Sequence, residues 1–244
     1  MKPIAAISLT LLLSSLATIS TKAATIIDDF NGSSLDGTTW NYSLPFAESS
    51  LSVGGGSLTL NNRAIISTVA QFAEPITMSG SLMASRYDTI RVSTRTNLTV
   101  HDAYTNELDG LHFSFHFDSN SIQIADANGN ELALASYTFN TGQWYDFVIT
   151  DDGSNLTWSI NGIPQLSAID NVSTGNYLSI YNREVNHGWA IPSSTSFNYL
   201  QITGTPEPSR SMLLLIGLSL GFCSRRRAAE PCARPVEPPL DMHS

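Results

Sequence analysis

Leu111-His112-Phe113-Ser114-Phe115-His116-Phe117 alternates apolar and polar side chains without a fault. A period of two marks a strand, because successive side chains leave opposite faces. The phenylalanines take one face and belong to a core. His112, Ser114 and His116 take the other, towards either solvent or a groove. Two histidines four apart on a strand lie about 13 Å from one another, too far to share one metal ion. A polar groove for a sugar suits this face better than a metal site does.

The stretches on either side behave alike. Residues 121–125 and 131–135 flank Asn128-Gly129, and residues 144–150 and 155–160 flank Asp152-Gly153. Asn-Gly and Asp-Gly between alternating runs are the strongest short hairpin signals. Asn161-Gly162 turns the chain again. Upstream, 51–53 and 57–60 flank Gly54-Gly55-Gly56, another hairpin. Residues 64–72 and 76–83 read as strands separated by a break at Glu74-Pro75. Residues 89–96 alternate Ile90, Val92 and Thr94 with arginines. Residues 25–30 form a short strand before a turn-rich opening that leads to Trp40, and 177–181 and 196–202 complete the set. No helix of ten or more residues is expected among them, and no segment repeats at a fixed length. Short alternating strands joined by glycine turns define an all-β, two-sheet antiparallel sandwich.

The ends of the chain carry a different pattern. Lys2, the apolar run 4–19 and Thr21-Lys22-Ala23 together read as a secretory signal peptide cut after Ala23. At the other end stand Pro206-Glu207-Pro208-Ser209, a 12-residue apolar run over 212–223, and Arg225-Arg226-Arg227. The first proline ends the preceding fold. The apolar run forms a short helix that can enter a bilayer, and the arginines stay on the cytoplasmic side. The expected divisions are a signal peptide over 1–23, a β-sandwich over 24–204, a sorting segment over 205–227, and a proline-rich disordered tail over 228–244.

Charge and cysteine content narrow the function classes. Residues 24–205 hold seventeen Asp and Glu, five arginines and no lysine, within a chain whose net charge is −9. Such a surface repels phosphate backbones, which excludes nucleic acid as a partner and disfavours anionic lipid. Both cysteines, Cys223 and Cys232, lie in or beyond the C-terminal segment. The sandwich has no disulfide and no thiol for catalysis or metal binding, so a core must hold it.

Two resemblances follow from these residues. The ordered triple of Pro-Glu-Pro-Ser, short apolar helix and arginine cluster, 22 residues in all, resembles the PEP-CTERM sorting signal of Gram-negative bacteria that make exopolysaccharide. That resemblance implies export across the inner membrane, with signal peptidase and an exosortase-type membrane sorting protease as partners. It implies a membrane-anchored stage, then release to the cell surface or extracellular matrix. Such tags end at or just after the arginines, whereas 17 more residues follow here. A permanent tail anchor is the alternative, although spanning a bilayer takes about 17–25 residues. The second resemblance is to concanavalin A-like lectin/glucanase and laminin-G-like domains. It rests on Asp28-Asp29-Phe30-Asn31-Gly32 with Trp40, on Gly142-Gln143-Trp144-Tyr145-Asp146-Phe147, on Leu156-Thr157-Trp158-Ser159-Ile160-Asn161-Gly162, and on Phe197-Asn198-Tyr199-Leu200-Gln201-Ile202. It implies a two-sheet jelly-roll sandwich with one concave face.

The glucanases of that group place a Glu-x-Asp pair, and soon after it a second glutamate, along one strand. Retaining chemistry needs two carboxylates about 5 Å apart. Glu107-Leu108-Asp109 begins the pattern, but Leu111 and His112 stand where the second glutamate belongs. Glu107 and Asp109 are therefore read as loop or strand-edge carboxylates, and no catalytic residue is assigned. Asp151-Asp152-Gly153-Ser154-Asn155 lacks the longer ligand pattern of a calcium loop, and a hairpin turn accounts for it. Calcium has no support there, and no cofactor or metal is expected. Between the late strands, Asn182-Arg183-Glu184-Val185-Asn186-His187-Gly188-Trp189 is a polar loop with an aromatic ring. Aromatic faces beside hydrogen-bonding groups hold pyranose rings. His112, Arg183, His187 and Trp189 are the candidate carbohydrate-binding residues, with exopolysaccharide or another glycan as partner. For Trp189, plugging the core edge is an equal reading. The leading expectation is an exported, non-enzymatic surface or matrix protein. A carbohydrate-binding lectin-like module and a divergent glycoside hydrolase stand as alternatives.

Overall fold

The computed structural model describes residues 24–85, 89–95, 110–126, 128–170, 177–183 and 193–206. The alternating stretches become strands β1 (Ala24–Asp28), β2 (Trp40–Ser43), β3 (Ser50–Val53), β4 (Leu58–Asn61), β5 (Ile65–Thr68), β6 (Phe72–Ala84), β7 (Thr89–Arg95) and β8 (His112–His116). The second half adds β9 (Ser121–Ala125), β10 (Glu131–Ser136), β11 (Tyr145–Asp151), β12 (Asn155–Ile160), β13 (Ile163–Ile169), β14 (Tyr177–Arg183) and β15 (Ser194–Pro206). One sheet runs β13-β12-β11-β6-β15-β4-β3, with β1 paired to β15. The other runs β10-β9-β8-β7-β14-β5-β2. Every pairing is antiparallel, so this is the two-sheet sandwich that the alternation predicts, in the jelly-roll form that the resemblance implies.

The sheets meet through aromatic rings. Phe113 and Phe115 of β8 meet the Trp158 ring of β12 edge-on, at 5.9 Å and 4.6 Å between centroids. Phe115 also meets Phe147 of β11 at 5.5 Å. These side chains are buried, and edge-to-face geometry sets the electropositive ring edge against the electronegative face. Gly80 of β6 lies beneath them. A Cβ there would sit 2.8 Å from both Leu200 Cδ2 and Phe147 Cζ, so only glycine lets Phe147 close on the sheet.

The opening motif has a structural role. Asp28 Oδ2 accepts a 2.8 Å hydrogen bond from Trp40 Nε1, and Asp28 Oδ1 accepts one of 2.9 Å from the Phe30 backbone. Phe30 and Trp40 are both buried. One carboxylate thus fixes two core aromatics, which are separated by a turn-rich segment.

Two expectations need correction. Glu74-Pro75 does not break the chain, because β6 runs through it. Its partner β15 shifts register between Thr203 and Thr205, and such a bulge tolerates a residue without an N–H. Strands β2 and β13 were not singled out from the sequence. The outermost strand β13 is mostly exposed, with Ile163 and Ile169 open to solvent, so it lacks a clean apolar face. Strand β15 continues past residue 204 to Pro206, which pairs with Phe72. The chain divides into one unit ending at Glu207 and another from Pro208 onward. No helix among the described residues is long and apolar enough to cross a membrane. The segments 1–23 and 207–244 lie outside the described residues.

Candidate functional site

Because Phe113 and Phe115 turn towards the other sheet, His112, Ser114 and His116 face outward from the seven-stranded sheet. Strand register then builds polar rows across it. Ser67, Ser179, Ser93 and His112 are successive cross-strand neighbours on β5, β14, β7 and β8. Tyr181, Arg91, Ser114 and Gln123 form the adjacent row, and Thr89, His116 and Ser121 the next.

These rows are wired internally. Ser93 Oγ and His112 Nδ1 share a 2.7 Å hydrogen bond. Arg91 Nε donates to Ser114 Oγ at 3.0 Å, and Arg91 Nη1 donates to the Tyr181 hydroxyl at 3.1 Å. Thr89 Oγ1 and His116 Nδ1 share a bond of 3.1 Å, and the same nitrogen lies 3.9 Å from Asp118 Oδ1. His112, Ser93, Ser114 and Ser179 are buried, whereas Arg91, Tyr181 and His116 are half-buried. Ser179 Oγ is buried with no hydrogen-bond partner among the described residues. An unsatisfied buried hydroxyl is unfavourable unless something supplies its partner. The arrangement offers hydroxyl, imidazole, guanidinium and phenol groups along one face, the set that recognises a polyhydroxylated ligand.

The sequence candidates separate here. His112 lies on the polar face but is buried and bonded to Ser93, so it reaches a ligand less directly than Arg91, Tyr181 or His116. Arg183 closes β14 opposite Thr89, while its side chain lies outside the described residues. His187 and Trp189 lie outside them too, as do Glu107, Asp109, and Glu207, Pro208, Arg225, Arg226 and Arg227 of the sorting signal. Pro206 is the last residue of β15. Ser93, Arg91, Thr89 and Tyr181 were missed. Thr89, Arg91 and Ser93 lie on the polar phase of 89–95, which matches that of 112–116, and Tyr181 lies on β14, but no partner is named until the strands pair.

The Asp151-Asp152-Gly153 turn also divides. Asp152 caps its own hairpin, accepting from the Ser154 and Asn155 backbones at 2.8 Å and 2.7 Å. Those bonds hold its carboxyl below the usual range. Asp151 instead follows Tyr145, Phe147 and Ile149 on the inward face of β11 and is buried. Glu74 and Asp170 approach it, and one carboxylate oxygen from each of the three lies within 4.8 Å of the others. Burial, reinforced by these two carboxylates and opposed by the Gly153 N–H bond, pushes the Asp151 carboxyl up to about 7. Burial and then Asp170 raise Glu74 as well.

No family model matches the chain, and no curated protein matches it. Solved structures do. A β-glucanase of Bacillus licheniformis aligns with a TM-score of 0.56 at 8% identity, over 73% of this chain and 97% of that one. The catalytic domain of an endo-1,3-β-glucanase (laminarinase) from Thermotoga petrophila aligns with a TM-score of 0.55 at 11% identity, over 75% and 98%. The endo-β-1,3-glucanase of Pyrococcus furiosus aligns with a TM-score of 0.55 at 11% identity, over 73% and 93%. The sandwich therefore has the jelly-roll fold of concanavalin A-like glucanases.

These likenesses correct the expectation of a non-enzymatic sandwich. The three glucanases just named share the architecture over 93–98% of their own length, so the fold itself gives no ground for a non-enzymatic reading. The expectation rested on a missing glutamate at Leu111 or His112, counted from Glu107. Strand β8 begins only at His112, and its outward positions are His112, Ser114 and His116. The count from Glu107 thus starts outside the described residues and crosses Gly110 and Leu111, which are not strand, so period-two spacing does not carry through it.

Proposed function

We propose that this protein acts on a glycan as a divergent glycoside hydrolase, with the outward face of the seven-stranded sheet as the glycan-facing surface. The observation that carries the reading is two hydrogen-bonded polar sets on adjacent rows of one face, Ser93 with His112 and Arg91 with Ser114 and Tyr181, on a glucanase-like fold. Hydrolysis of a glycosidic bond takes two carboxylates. Glu107 and Asp109, shortly before β8 in sequence and outside the described residues, are the acids we propose to test for that role, in place of the loop reading given to them above. His112 and Arg91 organise the face, and Tyr181 and His116 offer its accessible groups. The test incubates the protein with β-1,3- and β-1,3-1,4-glucans and measures new reducing ends. Activity is expected, with Glu107→Gln lowering kcat by about 10²–10⁴-fold, the usual contribution of acid–base catalysis. Glucan affinity without new reducing ends would restrict the role to binding. Neither affinity nor cleavage would sink the reading.

We further propose that the protein is exported and sorted through the segment from Pro206 to Arg227. The support is the signal-peptide pattern at one end and the Pro-Glu-Pro, apolar run and arginine order at the other. Mass spectrometry of the mature protein tests it. An N-terminus at Ala24 and a C-terminus near Pro208 are expected, whereas termini at Met1 and Ser244 would refute both steps.

A further inference from the structure

The charges of the strands are sorted between the two sheets. Strands β9, β8, β7, β14, β5 and β2 contain no Asp or Glu. In the other sheet, β1, β6 and β11 carry Asp28, Glu74, Asp146 and Asp151. Of the five arginines over 24–205, three (Arg91, Arg95 and Arg183) belong to the adjacent strands β7 and β14. Arg91 and Arg95 share the phase of Thr89 and Ser93, and Arg183 shares that of Ser179 and Tyr181, so all three stand on the outward phase. Acids stand at the rim of this face. Glu131 on the edge strand β10 accepts from Gln123 Nε2 at 3.1 Å, and Asp118, past the end of β8, lies 3.9 Å from His116. A basic stripe of this kind in a chain of net charge −9 is a local reversal of the field around the molecule.

At the centre of the stripe, Arg91 has no counter-ion among the described residues. It is half-buried, and both of its hydrogen bonds go to neutral oxygens: Nε donates to Ser114 Oγ at 3.0 Å and Nη1 to the Tyr181 hydroxyl at 3.1 Å. The Tyr181 ring centre lies 6.0 Å from its Cζ. Nη2 makes no hydrogen bond among the described residues. Acids are plentiful in the chain, but Asp36, Asp126 and Asp152 are engaged by the backbone of their own turns. A partly desolvated guanidinium is unfavourable until an anion compensates it. Its planar fork matches a carboxylate in shape as well as in charge.

We propose that the glycan received by this face is acidic, with a uronate carboxylate seated on Arg91. The carboxylate accepts from the guanidinium N–H groups that Ser114 and Tyr181 leave over, a charge-assisted contact that a neutral sugar hydroxyl does not match. Ser114 and Tyr181 fix the fork beforehand, so little side-chain freedom is lost on binding. The acidic remainder of the molecule repels a polyanion and so confines it to this stripe. Such a ligand presupposes the glycan-facing surface proposed above, but not hydrolysis.

The full chain is titrated by calorimetry near neutral pH with polygalacturonate and with alginate, each beside its own neutral ester, and with laminarin and dextran sulfate. At least one polyuronate is expected to bind about tenfold or more tightly than its ester, and to weaken as sodium chloride is raised. Arg91→Gln should abolish that preference while affinity for the ester is retained. Arg91→Lys keeps the charge and loses the fork; it serves should Arg91→Gln not fold, and a reduced preference is expected. Equal affinity of the wild type for acid and ester overturns the proposal and leaves a face for neutral glycans. An unchanged preference in either folded variant also overturns it, placing the carboxylate elsewhere. Dextran sulfate bound as tightly as the better polyuronate would overturn it too, reducing the effect to general attraction of polyanions. Binding of none of these polymers removes the glycan-facing surface itself, and the proposal with it.

Discussion

At the level of single residues, Asp151 shows how placement changes chemistry. In an unfolded chain an aspartate gives up its proton near pH 3.9. In the fold it keeps the proton to about pH 7. Between these values the unfolded state has lost a proton that the native state retains. Stability from this group is therefore full below about pH 4 and falls as pH rises to about 7. The loss is on the order of a few kcal/mol. In EDTA, to remove any cation, the wild-type Tm is expected to drop across that window more steeply than that of Asp151→Asn. Asparagine cannot ionise, yet its Oδ1 still accepts the Gly153 N–H. Parallel Tm–pH curves for the two proteins would contradict this account. Asp152, one residue on, is fully accounted for by its own turn. Alternation with Tyr145, Phe147 and Ile149 puts Asp151 on the inward phase of β11, whereas Asp152 lies past the end of that strand in the turn.

Among the elements, β6 and β15 organise the eight-stranded sheet. They pair along most of their length, and β15 also receives β4 at one end and β1 at the other. Gly80 lies where β6 crosses under Phe147 and Leu200. Gly80→Ala would force a methyl group to within 2.8 Å of both. Overpacking of this kind typically costs about 1–3 kcal/mol. Urea unfolding should show that loss as a lower midpoint with an unchanged m-value; an unchanged midpoint would mean the rings yield freely. Hairpin elements were legible because Asn128-Gly129 and Asp152-Gly153 mark turns chemically. The passage of β6 through Pro75 was not legible, because a proline reads as a break unless the bulge opposite it is known. Nor was β13, whose exposed faces carry no alternation.

On the scale of the whole molecule, β15 links the fold to the proposed fate of the chain. Its last residue, Pro206, is also the first proline of the Pro-Glu-Pro segment. Cleavage near Pro208 leaves every β15 pairing intact, so the processed protein is expected to melt at the same temperature as a chain carrying residues 209–244. A chain ending at Ile202 loses the pairs of Thr205 and Pro206 with Ala73 and Phe72, and of Thr203 and Gly204 with Thr25 and Ala24. It should melt lower, and equal thermal scans for the two would show that the strand end is dispensable.

The sequence by itself determined the all-β class, the phase of most strands and the absence of cysteine from the sandwich, because pleat period and turn chemistry are local properties. It also supplied His112 as a polar-face residue, since that follows from alternation alone. Tertiary structure decided which polar residues meet. Ser93 with His112, Arg91 with Ser114 and Tyr181, and Glu74 with Asp151 and Asp170 are contacts between strands or segments distant in sequence. Their partners are chosen by register and sheet order, which depend on how the two apolar faces close over Phe115, Phe147 and Trp158. A pattern of period two gives each side chain a face; only the packed sandwich gives it a neighbour.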